Sequence, residues 1–394
     1  VSVEDRLVGL IRAALPADQT IGVALSGGGD STALLHVCLV AGFRVEAVTV
    51  DHRLRPESGA EAAAVAASCA ALNVPHAVQV WEHGVVTGNL MDAARRARIG
   101  LIRDWALSRG IGVVVLGHTR EDVAETLLMG LARKAGIAGL SGMRAAWDER
   151  GLRVVRPLLQ AGREELRDWL RDRGIPWVDD PTNENDRFTR VRARKVLAAL
   201  APLGISAEGL AEVAGNLAQA QAALAVQVEA AGRWVSERAG ALCFDQGFWA
   251  EPAEVQRQVV LAALGWLTGA AYAPRATEVE RLMVALRGGR DATLAGCRAR
   301  RGWLMREPRA VGGPVAVGEP WDGRWVSQGP RAEVRSLGAE GLRQVPGWRE
   351  AGLPREVLLV TPGLWQGATL LAAPEAGLSA GWTVRLPQPF TLRR

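Results

Sequence analysis

With 394 residues, 48% of them hydrophobic and 23% charged, the chain can build two or three domains, each with its own core. No apolar run approaches the ~18 residues of a membrane span, and residues 1–15 mix Glu4, Asp5, Arg6 and Arg12 into an amphipathic pattern unlike a signal peptide, so a cytoplasmic protein with no membrane partner is expected. Cys38, Cys69, Cys243 and Cys297 are scattered without a C-x-x-C pair, which argues against a zinc ribbon or a disulfide scaffold. The net charge is +5, and of 47 basic residues only Lys134 and Lys195 are lysine. Arginine suits phosphate because its planar fork makes paired hydrogen bonds, but coding bias gives the same preference, so only clustering distinguishes the two.

In chain order, apolar runs at 21–25, 45–50, 77–80 and 113–116 predict strands, and Ala-rich stretches at 31–40, 57–72 and 92–108 predict helices between them. This alternation predicts an α/β fold, a parallel sheet with helices on both faces. Ligands of such sheets gather outside the carboxyl ends of the strands. Three runs end there in polar or glycine-rich residues: the cluster after 25, Asp51-His52 and Gly117-His118. Past residue 200 the texture changes. Pro202 and Gly204 break the chain, Val213, Leu217, Leu224 and Val228 recur at helical spacing, and 255–267 and 277–286 predict further helices. From 311 onward Gly, Pro and Trp dominate, with short apolar runs such as 357–360 between turns. The expected organisation is a catalytic domain over 1–200, a mostly helical accessory domain over 201–310 and a small C-terminal α+β or β-rich domain over 311–394.

The sharpest local signal is Ser26-Gly27-Gly28-Gly29-Asp30-Ser31, placed between a strand and a helix. Glycines let the backbone come close to an anion, and the N–H groups of the loop and helix start point toward it. The Ser26 and Ser31 hydroxyls can donate to phosphate oxygens. Asp30 would repel phosphate unless a cation intervenes, which suggests Mg²⁺. The loop lacks Gly-Lys-Ser/Thr and so is not the loop that grips a transferring γ-phosphate. It resembles the SGGxDS PP-loop of the ATP pyrophosphatases, a resemblance that implies ATP as cosubstrate, AMP transfer and diphosphate as leaving group.

Five further stretches resemble, in order, the tRNA(Ile)-lysidine synthase family. Asp51-His52-Arg53-Leu54-Arg55 is similar to DHxLR, and Gly88-Asn89 with Ala94-Arg95 and Arg98 to GN…AR..RY, with Ile99 in place of tyrosine. His118-Thr119-Arg120-Glu121-Asp122-Val123-Ala124-Glu125-Thr126 is similar to HxxDDxxET, with Glu121 in place of aspartate, and Arg133-Lys134 lies in a stretch similar to LxRGSG, with Lys134 in place of glycine. Read as helix, 118, 122 and 125 share one face, although acids at a helix start also suit its dipole. The fifth stretch runs from Arg156-Pro157-Leu158-Leu159 and Arg163-Glu164-Glu165-Leu166 through Asp180-Pro181-Thr182-Asn183 to Arg187, Arg190, Arg192 and Arg194. Its arginines suit an RNA backbone.

The resemblance implies that lysine is joined to C2 of the wobble cytidine of a CAU-anticodon tRNA(Ile), through an adenylated tRNA, with release of AMP and diphosphate. The expected partners are that tRNA and free L-lysine, and the oligomeric state stays open, a homodimer included. Ser26, Gly27, Gly28, Gly29, Asp30 and Ser31 are the expected nucleotide cradle. Asp30, Asp51, His118, Asp122 and Glu125 are the expected catalytic set, with Asp30 and Asp122 for Mg²⁺. Arg95, Arg98, Arg133, Arg187, Arg190 and Arg194 are the expected tRNA contacts. The alternatives are a tRNA-thiolating PP-loop enzyme, which would want paired cysteines, and a non-catalytic RNA-binding protein with a vestigial nucleotide site.

Overall fold

The computed structural model describes residues 2–53, 58–82, 90–178, 189–270 and 272–392. They form two compact units that divide between Gln221 and Ala222. The first unit holds α1 (Val3–Ala14), β1 (Thr20–Ala24), α2 (Gly29–Val40), β2 (Arg44–Asp51), α3 (Ser58–Ala71), β3 (His76–Val80), α4 (Leu90–Ser108), β4 (Val113–Leu116), α5 (Arg120–Ala132), the single-turn α6 (Ile137–Leu140), β5 (Ala146–Glu149), β6 (Leu152–Val155), α7 (Arg163–Arg171) and α8 (Thr189–Leu200). Helix α9 (Ala207–Ala231) contains the division.

The sheet order is β3-β2-β1-β4-β6-β5, parallel except for the antiparallel edge strand β5. Its central strands are apolar and β-branched because both faces are covered. Every residue of β4 is buried, as are Ile21, Gly22 and Val23 of β1. On one face α1, α2, α3 and α7 pack through Leu7, Leu34, Val65 and Leu166; on the other, α4 packs through Ile102 and Trp105. Helix α2 buries most of its length, so no polar stripe marks it, whereas α7 buries Leu166, Trp169 and Leu170 between charged positions. Ile99, in place of the tyrosine that the resemblance suggested, packs with the α4 core as an ordinary aliphatic. The predicted strands and helices of this half all appear. The β5–β6 hairpin was not predicted, because each strand is four residues long and the run is interrupted by Asp148, Arg150 and Gly151.

The second unit holds β7 (Val235–Arg238), β8 (Ala241–Phe244), α10 (Ala253–Thr268), α11 (Ala276–Arg287), β9 (Ala292–Leu294), β10 (Cys297–Arg300), β11 (Trp303–Arg306), β12 (Val315–Ala316), β13 (Val326–Gln328), β14 (Glu333–Ser336), α12 (Gly338–Arg343), α13 (Arg355–Leu358), β15 (Pro362–Gln366), β16 (Thr369–Ala372) and β17 (Thr383–Arg385). The two helices expected here are present as α10 and α11. They pack on a five-stranded antiparallel sheet, β7-β8-β11-β10-β9, that sequence reading had not predicted. Its strands alternate buried and half-buried residues over only four positions (Cys297 and Ala299 in, Arg298 and Arg300 out), too short a period to register. Residues past 311 form the four-stranded sheet β12-β14-β15-β16 and the pair β13-β17, in keeping with the β-rich expectation. The run at 357–360, read as a strand, lies in and just after the short helix α13. Among the described residues no single helix is long and apolar enough to cross a membrane. All four cysteines are free, and Cys38, Cys69 and Cys297 are buried.

Lys134 shows how the first unit tolerates a departure from the expected sequence. Helix α5 ends in a Schellman arrangement: Ala135 N–H donates to Gly130 O at 3.0 Å and Lys134 N–H to Leu131 O at 2.9 Å. Lys134 therefore adopts φ +54°, the left-handed conformation in which glycine is favoured. The helix end imposes this conformation, and Lys134 carries the strain. Lys134→Gly should raise the denaturant midpoint, by about 0.5–1 kcal/mol in stability; a lower midpoint would contradict strain at this position.

Candidate active site

Strand β1 ends at Ala24 and α2 begins at Gly29, so the glycine loop turns in four residues. Gly27 sits at φ +84°, and a Cβ there would lie 2.8 Å from Val65 Cγ2. Gly28 is the N-cap of α2 and has no side chain to cap it, so the N–H groups of the first turn are left for an anion. The serines do something other than expected. Ser31 Oγ donates to Gly28 O at 3.0 Å and accepts Ser26 N–H at 3.2 Å, which leaves the Ser26 hydroxyl to donate to Ser31 Oγ at 3.0 Å. Both hydroxyl protons thus brace the loop, and each would have to turn to reach a phosphate. Val178 N–H holds the loop from outside through Gly27 O, at 2.9 Å. Gly117, just past β4, presses on it from inside: a Cβ there would stand 2.9 Å from both Asp30 O and Ser31 Cα.

The carboxylates meet beside this loop. Asp30 lies in the first turn of α2, and Asp122 and Glu125 lie on α5. His118 is not on that helix, as the shared-face reading supposed; it precedes the N-cap, Thr119. Asp122 belongs to the capping box, its Oδ2 accepting Thr119 N–H at 2.9 Å and Thr119 Oγ1 at 3.2 Å. The acid-at-a-helix-start reading therefore holds for Asp122 alongside any chemical role. Arg163, the first residue of α7, joins all three acids, with Nε 3.3 Å from Asp30 Oδ2, Nη2 3.4 Å from Asp122 Oδ1 and Nη1 3.1 Å from Glu125 Oε1. Its backbone N–H donates to Glu121 Oε2 at 2.8 Å, so the glutamate in place of aspartate caps α7.

Glu125 is fully buried and takes a second cation, Arg194, whose Nε donates to the same Oε1 at 2.7 Å. Glu125 Oε2 and Asp30 Oδ1 are buried acceptors with no partner. Each such oxygen costs about 1–3 kcal/mol until a donor or cation reaches it. Burial raises the Asp30 pKa above the usual carboxylate range, with Arg163 only partly opposing it. Burial also acts to raise Asp122, but the charge of Arg163 and the Thr119 N–H hydrogen bond outweigh it and the net shift is downward.

Arginines gather on the other side of Asp122. Arg156 is buried, stacks 4.4 Å over Trp147, donates to Arg144 O at 2.7 Å and sends Nε–H to His118 Nδ1 at 3.2 Å. A guanidinium only donates, so His118 Nδ1 accepts and its proton sits on Nε2. Burial, opposed by Asp122, pushes His118 down to about 3, so the ring is neutral at physiological pH. Burial and the like charges of Arg190 and Arg95 push Arg98 down to about 10, and Arg156 falls to about 10 for the same reasons, with Arg98 adding its charge. Arg190 stands 3.8 Å from Asp122.

Sequence reading missed Arg163, Arg156, Glu121 and Gly117 as site residues, although all four stand in stretches it singled out. Of the expected set, Asp51 engages its own loop instead: its Oδ1 accepts Arg53 N–H at 2.8 Å, and a hydrogen bond from Ser58 is the main cause of its lowered pKa. Beside it His52 and Trp81 meet edge to face at 5.9 Å, at the ends of β2 and β3. Arg133 is the exposed C-cap of α5. Arg187 lies outside the described residues.

A glycine loop at the end of β1, with the carboxylates of α2 and α5 facing it, defines the PP-loop class, and the PP-loop domain family matches residues 2–200. Among curated proteins the chain is 45% identical to a tRNA(Ile)-lysidine synthase of Ruegeria pomeroyi, covering 96% of this chain and 94% of that protein. It is 34% identical to the tRNA(Ile)-lysidine synthase of Rhizobium meliloti, over 84% of this chain and 78% of that one, and 34% identical to that of Zymomonas mobilis, over 75% and 90%. The chain belongs to the tRNA(Ile)-lysidine synthase family. The close approach of Gly117 gives a direct test of the loop. Gly117→Ala should weaken ATP binding at least about tenfold, because the clash is with backbone that cannot rotate away; unchanged affinity by calorimetry would show that the loop does not depend on this contact.

Proposed function

We propose that the protein uses ATP to adenylate the wobble cytidine of a CAU-anticodon tRNA(Ile) and then joins L-lysine to it. In the first step cytidine O2 attacks the α-phosphorus, and the bond to diphosphate breaks. In the second, the lysine ε-amine attacks C2, the C2–O bond breaks, and AMP leaves with the electron pair. The observation that carries this reading is the uncapped first turn of α2, whose Asp30 is joined through Arg163 to Asp122 and Glu125, in a chain of this family. A dipole end with free N–H groups stabilises the departing diphosphate. Buried carboxylate oxygens without donors suit an incoming ammonium, which must also lose a proton before it attacks.

Gly27, Gly28 and Gly29 would hold the β- and γ-phosphates by backbone, with Ser26 and Ser31 turning outward. His118, neutral with its proton on Nε2, would donate to the adenylate, and Asp51 with the His52–Trp81 pair would lie near the nucleotide base. Glu125 and Asp122 would receive the lysine ammonium. Arg95, Arg98, Arg190 and Arg194, with Arg133 and Arg187, would steer and hold the RNA. Magnesium fits in a limited way. Among the described residues no cluster of three or more ligands forms, but this ion usually takes one or two carboxylates and completes its shell with phosphate oxygens and water. Asp30 Oδ1, buried and unpartnered, would supply that carboxylate, and Asp122 is the weaker choice because both its oxygens are engaged. The ion would neutralise charge on the diphosphate.

A wobble base is unpaired and enters a pocket at little stacking cost. The second unit, with Arg281, Arg290, Arg298 and Arg309 lining its surface hollows, would hold the tRNA body. The accessory division at 201–310 and 311–394, a cytoplasmic location and recognition of this tRNA over other CAU tRNAs belong to the same proposal. Thiolation draws no support from four free cysteines of which three are buried.

The test is incorporation of labelled lysine into a CAU-anticodon transcript with ATP present; no incorporation by active, folded protein would refute the reading. Asp30→Ala should abolish AMP formation while leaving tRNA affinity nearly intact, and turnover at the wild-type rate would remove Asp30 from the mechanism. The logarithm of tRNA affinity should fall linearly and steeply with the logarithm of salt concentration, whereas a flat response would contradict phosphate contacts by the arginines.

A further inference from the structure

Arg163 makes more ionic contacts in the site than any chemistry assigned above requires. Its guanidinium reaches Asp30, Asp122 and Glu125 at 3.1–3.4 Å, and its side chain is only 12% exposed. Its main chain is fixed as well, by Glu121 and by its place at the start of α7. The three acids come from two helices, and Arg163 is the one cation within ion-pair distance of all three among the described residues.

We propose that Arg163 is a positioning residue that holds the Asp122–Glu125 pair in register with the phosphate loop, so that Glu125 presents a free oxygen to the lysine ammonium. The inference rests on the reading that lysine is the second substrate. Its geometric basis is the one-sidedness of Glu125. Arg163 Nη1 and Arg194 Nε both donate to Oε1, and Oε2, equally buried, has no partner. Two guanidinium groups thus fix the carboxylate plane while leaving one oxygen open. An ammonium carries three donors and can take Oε2 without displacing either arginine. Through Nε, the same guanidinium ties Asp30, and with it the first turn of α2, to the acids of α5. Without Arg163 three like charges would adjoin one another, and the link between the diphosphate side and the amine side would be gone.

The opposite role is physically conceivable: a guanidinium among carboxylates could block the ammonium site and have to be displaced. The experiment separates the two by sign. Arg163→Gln and Arg163→Lys would be compared with wild type in lysine transfer at saturating ATP and tRNA, in KM for ATP, and in formation of adenylated tRNA without lysine. Removing one partner of a buried, hydrogen-bonded charge pair is costly, so Arg163→Gln should lower kcat/KM for lysine at least about tenfold. The KM for ATP should change by less than about threefold, below the ~1 kcal/mol that a lost hydrogen bond represents. Arg163→Lys, which keeps the charge but not the fork, should recover part of that loss. Unchanged or improved kcat/KM for lysine in Arg163→Gln would overturn the proposal, the improvement pointing to a blocking role. Equal losses for lysine and ATP in both variants, with reduced thermal stability, would also overturn it in favour of a purely structural pairing. If wild-type protein transfers no lysine at all, the functional reading fails instead, which keeps the two failures distinct.

Discussion

A carboxylate as deeply buried as Glu125 has to be paired, and its pairing organises the catalytic edge of the first unit. Arg163 from the start of α7 and Arg194 from α8 converge on it, so three helices are fixed relative to one another by charge as well as by apolar contact. The same Arg163 draws in Asp122 and Asp30, and so the helix that opens with the phosphate loop is tied to the helix that carries the acids. Breaking one arm of such a network leaves an uncompensated buried charge, typically a loss of about 3–5 kcal/mol. Replacing the network by apolar side chains would avoid that desolvation, so stability alone does not account for it.

The loop itself is built by exclusion of side chains. Gly27 needs its positive φ and faces Val65, and Gly117 leaves no room for a Cβ against Asp30 and Ser31. The serine hydroxyls meanwhile complete a closed set of hydrogen bonds within the loop. An anion would therefore meet a rigid frame of N–H groups first and recruit the hydroxyls second. The arginines around His118 have a different character. They lie close together with few acids among them, and the lowered pKa values of Arg98 and Arg156 reflect burial and repulsion by their neighbours that a phosphate would relieve.

Much of this was legible in the sequence. The strands at 21–25 and 113–116 are uniformly apolar because they are covered on both faces, 45–50 is apolar apart from Glu46 and Thr49, and the glycine loop and Asp122-x-x-Glu125 stand at strand ends where parallel sheets bind ligands. The partners of those residues were harder to see, because long-range pairing leaves no periodic trace. Arg163 sits 133 residues from Asp30 and 38 from Glu125 in sequence. Arg156 looked like part of a fixed motif, yet its role here is to set the His118 tautomer. The sheet of β7 to β11 escaped for another reason: strands of three or four residues, with arginines on the outer positions of β10, show too short an alternation to register. Lys134 is instructive in the reverse sense. A lysine stands where the resemblance suggests glycine, and the helix end imposes the left-handed conformation on it regardless.

The account depends on where ATP is cut, since a loop that grips diphosphate as a leaving group dictates cleavage between the α- and β-phosphorus. Chromatography of products from α-labelled and γ-labelled ATP, incubated with the protein and a CAU-anticodon tRNA, measures this directly. Label should appear in AMP and in diphosphate, both in amounts that follow lysine joined to RNA. Label in ADP and free orthophosphate would contradict the account at its base.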